Sequence, residues 1–483
     1  MTENLHSSSY LNNDLMANAQ RCFVIVFALF AGWLLSFPFH GRVFYSLLGS
    51  ETLDVNQLVL FVLLSHLLGL IFAGFLVKDI RRAGFVIRGT LFLCGLLTLL
   101  CLIPEGALFF VILPLVGFFA GICLASFGYF FHIVAPSGDR FRTAADLLIA
   151  SNILMILING ATIILSPVQA LILATLPLVI AFILLGKLFK LVDDLKNNNK
   201  NRIKTQKIWM AKKDGKIFPL VILCFFIVLV TVNSGLMYSV INPGFSHLKI
   251  LSLWYLAVPY IAALLILRNL PKKIDRTIFL FLAISMIGLA FLGFMLLEKT
   301  PYAFFVVNTL MMGAFGIFDL FWWSILGEML DEWDNKARLF GIGLAANVGG
   351  IIIGESLAAV ISQPEIVALF VVLVGLVLLP LMNQQLTKQH KDYFFLAKEI
   401  PDEKDDQEDR ESKIFINELL SLLSRREQEI LPYLIEGDTN KIIAKTLNLS
   451  ENTVKTHIKN IYGKLEVRSR NELLHLFLDK GRN

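Results

Sequence analysis

The stretch LSRREQEILPYLIEGDTNKIIAKTLNLSENTVKTHIKNIYGKLEVRSRNELLHLFL, Leu423 to Leu478, draws its own helices from local chemistry. Ser424 with Glu427, and Ser469 with Glu472, fit the capping box, in which a hydroxyl and a carboxylate satisfy orphan amides at a helix start. Between those boxes Thr439 and Ser450 are N-cap residues for a short helix through Thr446 and a longer one from Glu451 to Leu465. The turn joining them, Leu447 to Ser450, is short, so the pair forms a helix-turn-helix.

The second helix of that pair carries the chemistry. At 100 degrees per residue Ile458, Ile461 and Leu465 fall within about 40 degrees of Val454, which makes one buried stripe. The far side holds Asn452, Thr456, Lys459 and Gly463, with Lys455 on the flank. A protruding helix offering amide, hydroxyl and ammonium groups suits the major groove of double-stranded DNA, where each base pair shows a distinct donor and acceptor pattern.

The stretch resembles the LuxR-type helix-turn-helix regulators. The match lies in L-S-x-R-E-x-E-I-L at Leu423 to Leu431, Gly437, T-N-K-x-I-A at Thr439 to Ala444, L-x-L-S-x-N-T-V-K-x-H at Leu447 to His457, then Ile461, Lys464, Leu465, Val467 and Arg470. The resemblance implies a four-helix DNA-binding domain that dimerises through its last helix, here Arg468 to Asp479. It places base contacts at Lys455, Thr456 and Lys459, and phosphate contacts at Thr439, Asn440, Ser450, Thr453 and Lys464. Three positions depart from the pattern. Ile442 stands where the family usually has Glu, Glu466 where it usually has Gly, and Pro432 falls inside the first helix, where it should kink the axis. Charge alone would not decide for DNA, since residues 412–483 hold 12 Lys plus Arg against 9 Asp plus Glu.

Outward from this stretch the chain changes character. Of its 483 residues 56% are hydrophobic and 17% charged, which excludes an ordinary soluble globular protein. The five cysteines lie in apolar runs without metal-site spacing, so packing is their expected role and no metal or other cofactor is expected. The polar start, Met1 to Gln20, precedes an apolar run with no small-residue cleavage site, so a cleaved signal peptide is not expected.

Twelve apolar stretches long enough to span a hydrocarbon core can be drawn, at 22–39, 57–77, 85–103, 107–131, 143–165, 168–190, 217–241, 249–267, 277–297, 301–328, 339–363 and 365–383. With the N-terminus in the cytoplasm, the inner loops hold 22 Lys and Arg and the outer loops 3. The positive-inside rule therefore expects a multi-pass protein of the cell membrane with both termini cytoplasmic. That is also the side on which a DNA reader is useful.

The longest inner loop divides the spans six and six. Two such halves resemble the major facilitator superfamily. Its signature loop survives only as G-F-L-V-K-D-I-R-R at Gly74 to Arg82, and a second basic turn stands at Pro271 to Arg276. The expected fold is thus all-α: a polytopic membrane protein of twelve transmembrane helices, major-facilitator-like, with a C-terminal four-helix LuxR-type domain. The expected parts are a cytoplasmic tail (1–21), a first bundle (22–191), a basic loop (192–216), a second bundle (217–383), an acidic linker (384–411) and the DNA-binding domain (412–483). Within the linker Glu399 to Glu411 carries eight acidic and two basic residues and no apolar period, the pattern of a solvated tether.

Ionisable groups inside spans are costly in lipid and usually face a cavity or a partner. Asp319 and Glu355 stand out, and helix rise puts Asn347 at the height of Asp319, so those two are expected to meet. Asp319, Glu355, Asn347 and Asn152 are the candidates for sensing an unknown small-molecule ligand. Asn159, Asn233, Asn308 and His66 are read as interhelical glue, and Trp254, Trp322 and Trp323 as packing residues. Gly349, Gly350 and Gly354 read as close helix packing, because no Lys and Ser/Thr follow to make a phosphate loop. No catalytic residue is found, so the chain is not expected to be an enzyme. Two functions follow: a membrane-embedded one-component regulator that binds promoter DNA, or a secondary transporter carrying a regulatory tail.

Overall fold

The computed structural model describes residues 2–39, 41–48, 55–103, 106–136, 138–206, 217–270 and 277–397, and in the tail 419, 422–435, 439–447, 449–470, 472–473 and 476. The acidic stretch Glu399 to Glu411, the basic turn Pro271 to Arg276 and Gly437 lie outside the described residues. Every regular element among the described residues is helical. By its contacts the chain divides into two compact units, Met1–Asn198 with Lys213–Gln389, and Asn199–Lys212 with His390–Asn483.

The first unit is a bundle of apolar helices. In chain order they are α1 Thr2–Ser36, α2 Arg42–Leu48, α3 Val55–Leu76, α4 Ile80–Leu100, α5 Gly106–Ser126, α6 Gly128–Val134, α7 Arg140–Ala161, α8 Pro167–Gln206, α9 Ile217–Leu236, α10 Asn242–Gly244, α11 Lys249–Trp254, α12 Val258–Arg268, α13 Thr277–Leu296, α14 Pro301–Met329, α15 Lys336–Val360 and α16 Pro364–Ala397. Among the described residues eleven stretches are long and apolar enough to cross a membrane, and the apolar part of α16, Pro364–Pro380, stands where the twelfth is expected. Helix starts follow from local chemistry. Asp79, Thr300 and Asn335 accept amide hydrogens from Arg82, Ala303 and Arg338, and Pro167, Pro301 and Pro364 occupy first helical positions, where a missing N–H costs nothing.

Three details go beyond the apolar runs. α1 begins at Thr2, so the polar start is helical; α8 runs on to Gln206, past the expected end of its span. The seventh span passes through a π turn, Met237–Ile241, between α9 and α10. Large apolar side chains such as Phe85 (83% exposed), Ile164 (88%) and Leu296 (80%) cover the outside of the bundle, as a lipid-facing surface requires.

Each half packs within itself, α3 on α5 and α1 on α7 in the first, α9 on α15 and α13 on α14 in the second. The halves then meet where α15 lies on α3 and α5, and where α7 lies on α12 and α14. Small residues set the tightest approach. A Cβ on Gly350 would sit 2.0 Å from Thr231 Oγ1 and one on Gly354 2.1 Å from the Val232 carbonyl, so the expected glycine pattern is a helix-packing seam.

In the second unit, to which the ends of α8 beyond Asn198 and of α16 beyond Gln389 also belong, the further regular helices are α17 Arg425–Ile435, α18 Asn440–Thr446 and α19 Glu451–Lys464. Their core is Leu423, Ile430, Leu431, Leu434, Ile443, Ala444, Val454, Ile458, Ile461, Leu465 and Leu473. The first capping box forms as expected, with the Ser424 amide donating to Glu427 Oε2 at 2.7 Å and the Glu427 amide to Ser424 Oγ at 3.4 Å. The second is shifted: the Glu472 amide reaches Ser469 Oγ, but Glu472 Oε2 accepts from the amide of Arg468, one residue earlier. α17 runs on through Pro432. Beyond α19, Arg468–Arg470, Glu472, Leu473 and Leu476 are described, and Leu473 reaches the core.

Candidate functional site

The helix-turn-helix is built on two N-caps and one helix stop. Thr439 Oγ1 accepts from the Ile442 amide, and Ser450 Oγ accepts from the Thr453 amide at 3.0 Å. α18 ends where the Leu449 amide bonds back to the Ala444 carbonyl at 2.9 Å, the six-to-one bond of a Schellman stop that makes the tight turn into α19. α19 then buries Val454, Ile458 and Ile461, leaving Asn452, Lys455, Thr456, Lys459 and Gly463 exposed on the far side. A Cβ placed on Gly463 would meet open space.

The other residues assigned to DNA fall in three settings. Lys455 and Lys459 are exposed and Thr456 Oγ1 donates to its own helix at the Asn452 carbonyl, 3.0 Å away. Ser450 and Thr453 share a hydroxyl contact of 2.7 Å while serving as cap and capped, with Thr439 exposed and Asn440 half-buried at the start of α18. Lys464 is exposed but tied back to the domain: its Nζ lies 2.7 Å from Glu427 Oε2, a carboxylate only 3% exposed. Burial would push the Glu427 carboxyl up, but the Lys464 ammonium and the Ser424 amide and hydroxyl outweigh it and hold it down at about 2.

Two arginines tie the helices into this shape. Arg470 donates to the carbonyls of Leu434 and Tyr433 at the end of α17, and Arg426 donates to the Leu447 carbonyl while pairing with Glu429. Glu466 follows α19 with φ 55°, the left-handed position that favours glycine, and the Val467 amide closes a second Schellman bond on the Tyr462 carbonyl at 3.0 Å. The glycine usual there in the family has a backbone reason here.

Inside the membrane unit Asp319 is half-buried and accepts from Tyr260 Oη at 2.9 Å and from Trp322 Nε1 at 3.0 Å. The expected partner is different: Asn347 is half-buried on α15, and no hydrogen bond joins it to Asp319. Two neutral donors take that role because Tyr260 reaches across from α12 and Trp322 lies one turn along α14. Tyr238 lies on the π turn that follows α9. Asn152 turns back on its own helix, donating to the Leu148 carbonyl. Asn308 and His66 bridge helices through the backbone at Leu256 and Gly117, as glue residues do. Trp322 and Trp323 are buried, and Trp254 (46% exposed) packs over Gly160.

Charge also ties the halves together where α3 closes and α7 opens. Arg140, 2% exposed, makes a two-pronged contact to Asp331 at 2.6 and 2.8 Å, and His132 Nε2 stands 3.1 Å from the same carboxylate. Burial opposes ionisation of Asp331, but His132 and Arg140 hold its carboxyl well below the usual carboxylate range. At the same end Arg268 pairs with Asp146 and Asn335 donates to the Gly74 carbonyl at 2.7 Å. Sequence reading counted Arg140 and Arg268 as loop charges and passed over Asp146, although a carboxylate within a span is the kind of signal that finds such a tie.

Residues 421–477 match the family model of bacterial regulatory proteins, luxR family. Over 60 residues the chain is 50% identical to the nitrate/nitrite response regulator protein NarP of Escherichia coli, covering 12% of this chain and 28% of that protein. Over 58 residues it is 45% identical to the monoamine regulon transcriptional regulator of Klebsiella aerogenes, covering 12% of this chain and 26% of that one. The chain thus spans roughly a quarter of the length of these curated relatives. The crystal structure of a bacterial homologue of the iron transporter ferroportin, in an outward-facing state with soaked iron, superposes with TM-score 0.55 at 14% identity, covering 77% of this chain and 98% of that one. Residues 421–477 thus form a luxR-family domain with a helix-turn-helix, and the apolar helical unit shares the fold of that solved structure.

Proposed function

We propose that this chain is a membrane-embedded one-component transcriptional regulator, in which the membrane unit senses a small molecule and the LuxR-type domain binds promoter DNA in the cytoplasm. The observation that carries it is α19: its apolar stripe is buried, while Lys455, Thr456 and Lys459 are left open on the opposite face. Thr439, Asn440, Ser450 and Thr453 stand at two helix starts, where phosphate is favoured. The surplus of Lys and Arg in alternate loops supports cytoplasmic termini.

A ligand shifts DNA binding only by its differential affinity for two arrangements of the membrane unit. Asp319, Glu355, Asn347 and Asn152 are the groups with which it would interact. Pairing of two tails as a homodimer is the lever, since a dimer engages two half-sites and a lone domain one. Chromatin capture with sequencing tests the reading: enrichment of discrete promoter sites, lost on Lys455→Ala with Lys459→Ala, is expected, and uniform recovery of DNA overturns it.

The second reading is a secondary transporter that carries a regulatory tail. The transporter-like fold and the intramembrane carboxylate Asp319 favour it. Uptake into vesicles with and without a proton gradient separates the two: gradient-driven accumulation lost in Asp319→Asn supports transport.

A further inference from the structure

Arg88 lies on α4, eight residues after Ile80 and so about 12 Å into a membrane-spanning helix, yet it is exposed. Its surroundings are not those of a water-facing charge. Phe85 (83% exposed) and Phe92 (62%) flank it on α4, and Ile183 (68%) stands on α8, so this side of the bundle is lipid-facing. The guanidinium is seated against α8, 5.8 Å from the ring centres of both Phe182 and Phe189, with its Nη2 3.7 Å from where a Gly186 Cβ would be. Phe189 is in turn locked in place because its ring fills the space that a Cβ on Gly84 would occupy. The seat is therefore a notch with two aromatic walls and a glycine floor.

The five N–H donors of this guanidinium meet no acceptor among the described residues. Asp79, at the start of α4, is engaged with Arg82. An unmatched charge facing hydrocarbon is expensive, and helical side chains lean toward the N-terminal end. That lean carries the guanidinium back toward the start of α4, the end of the helix that carries Lys78, Arg81 and Arg82. Guanidinium is the side chain whose fork matches a phosphate with two parallel hydrogen bonds, and the stacked rings hold that fork in one plane.

We infer that the α4–α8 groove is a binding site for one anionic phospholipid, its phosphate on Arg88 and its acyl chains along Phe85, Phe92 and Ile183. The carboxylate-containing interior of the bundle plays no part in it.

Native mass spectrometry of the full chain in detergent, titrated with dioleoyl phosphatidylglycerol, tests this. One lipid is expected to bind more tightly than phosphatidylcholine, with Arg88→Gln weakening it about tenfold and Arg88→Lys less. Gly186→Leu keeps the charge but fills the notch, and is expected to weaken binding to the same degree as Arg88→Gln. Soluble glycerol 3-phosphate is expected not to compete. Unchanged phosphatidylglycerol affinity in both Arg88→Gln and Gly186→Leu overturns the site. Equal binding of phosphatidylcholine, or competition by glycerol 3-phosphate at the lipid's concentration, overturns the assignment to an anionic lipid.

Discussion

Lys464 reaches from the last turn of α19 to Glu427 in the first turn of α17, Nζ to Oε2 at 2.7 Å, and so fixes α19 to the helix that supports it. Breaking this pair leaves a buried carboxylate without its cation. Lys464→Ala is expected to cost about 2 kcal/mol of local stability, read as faster amide hydrogen exchange across α17 to α19 in the full chain.

The same pair sets a pH dependence. The Glu427 carboxyl titrates at about 2 in the folded domain, below the roughly 4.3 of an unfolded glutamate. Its contribution is therefore complete above about pH 4.3 and is lost as pH falls toward about 2. Hydrogen exchange in the domain should accelerate over that window in the parent chain, and the acceleration should be smaller in Glu427→Gln.

On α19 itself, Lys455→Ala with Lys459→Ala removes two exposed ammonium groups without touching the buried stripe. Affinity for promoter DNA is expected to fall at least tenfold, at about 1–3 kcal/mol per base-reading contact. Membrane insertion should be unaltered. A gel-shift titration checks the first and membrane fractionation the second; parental affinity in the double variant would falsify the assignment.

Glu466 occupies a left-handed position at φ 55°. Glu466→Gly is expected to stabilise the domain by about 1 kcal/mol, because a side chain there is strained by roughly that amount. Slower exchange of the amides in α19 is the measurement, and unchanged or faster exchange the contrary result.

Arg140 has almost no exposed surface and depends on Asp331 for its charge partner. Asp331→Ala should loosen the end of the bundle where the halves are tied, by about 3 kcal/mol. Hydrogen exchange is expected to rise at residues 128–140 and 328–340 together. A rise confined to 328–340 would show that the two halves are not coupled through this pair.

The helices were legible because each depends on composition over a long window: the stretch expected at 301–328 is Pro301–Met329, and that at 217–241 begins at Ile217 and continues through the π turn. The α19 stripe was legible for the same reason, since Val454, Ile458 and Ile461 share one period. Side-chain partners were not. Asp319 was expected beside Asn347 from helix height alone, but height says nothing of which face each helix turns inward, and Tyr260 and Trp322 hold it. Arg140 finds Asp331 at a separation of 191 residues, a pairing that no local pattern encodes. Lys464 followed the family's phosphate assignment, while its short contact to Glu427 depends on two helices meeting.

Gly350 and Gly354 press α15 against Thr231 and Val232 so closely that neither helix has clearance to slide. α9 and α15 must therefore travel as a single rigid plank in any rearrangement of the bundle. Since α15 also touches α3 and α5, a displacement of that plank is passed on to the first half.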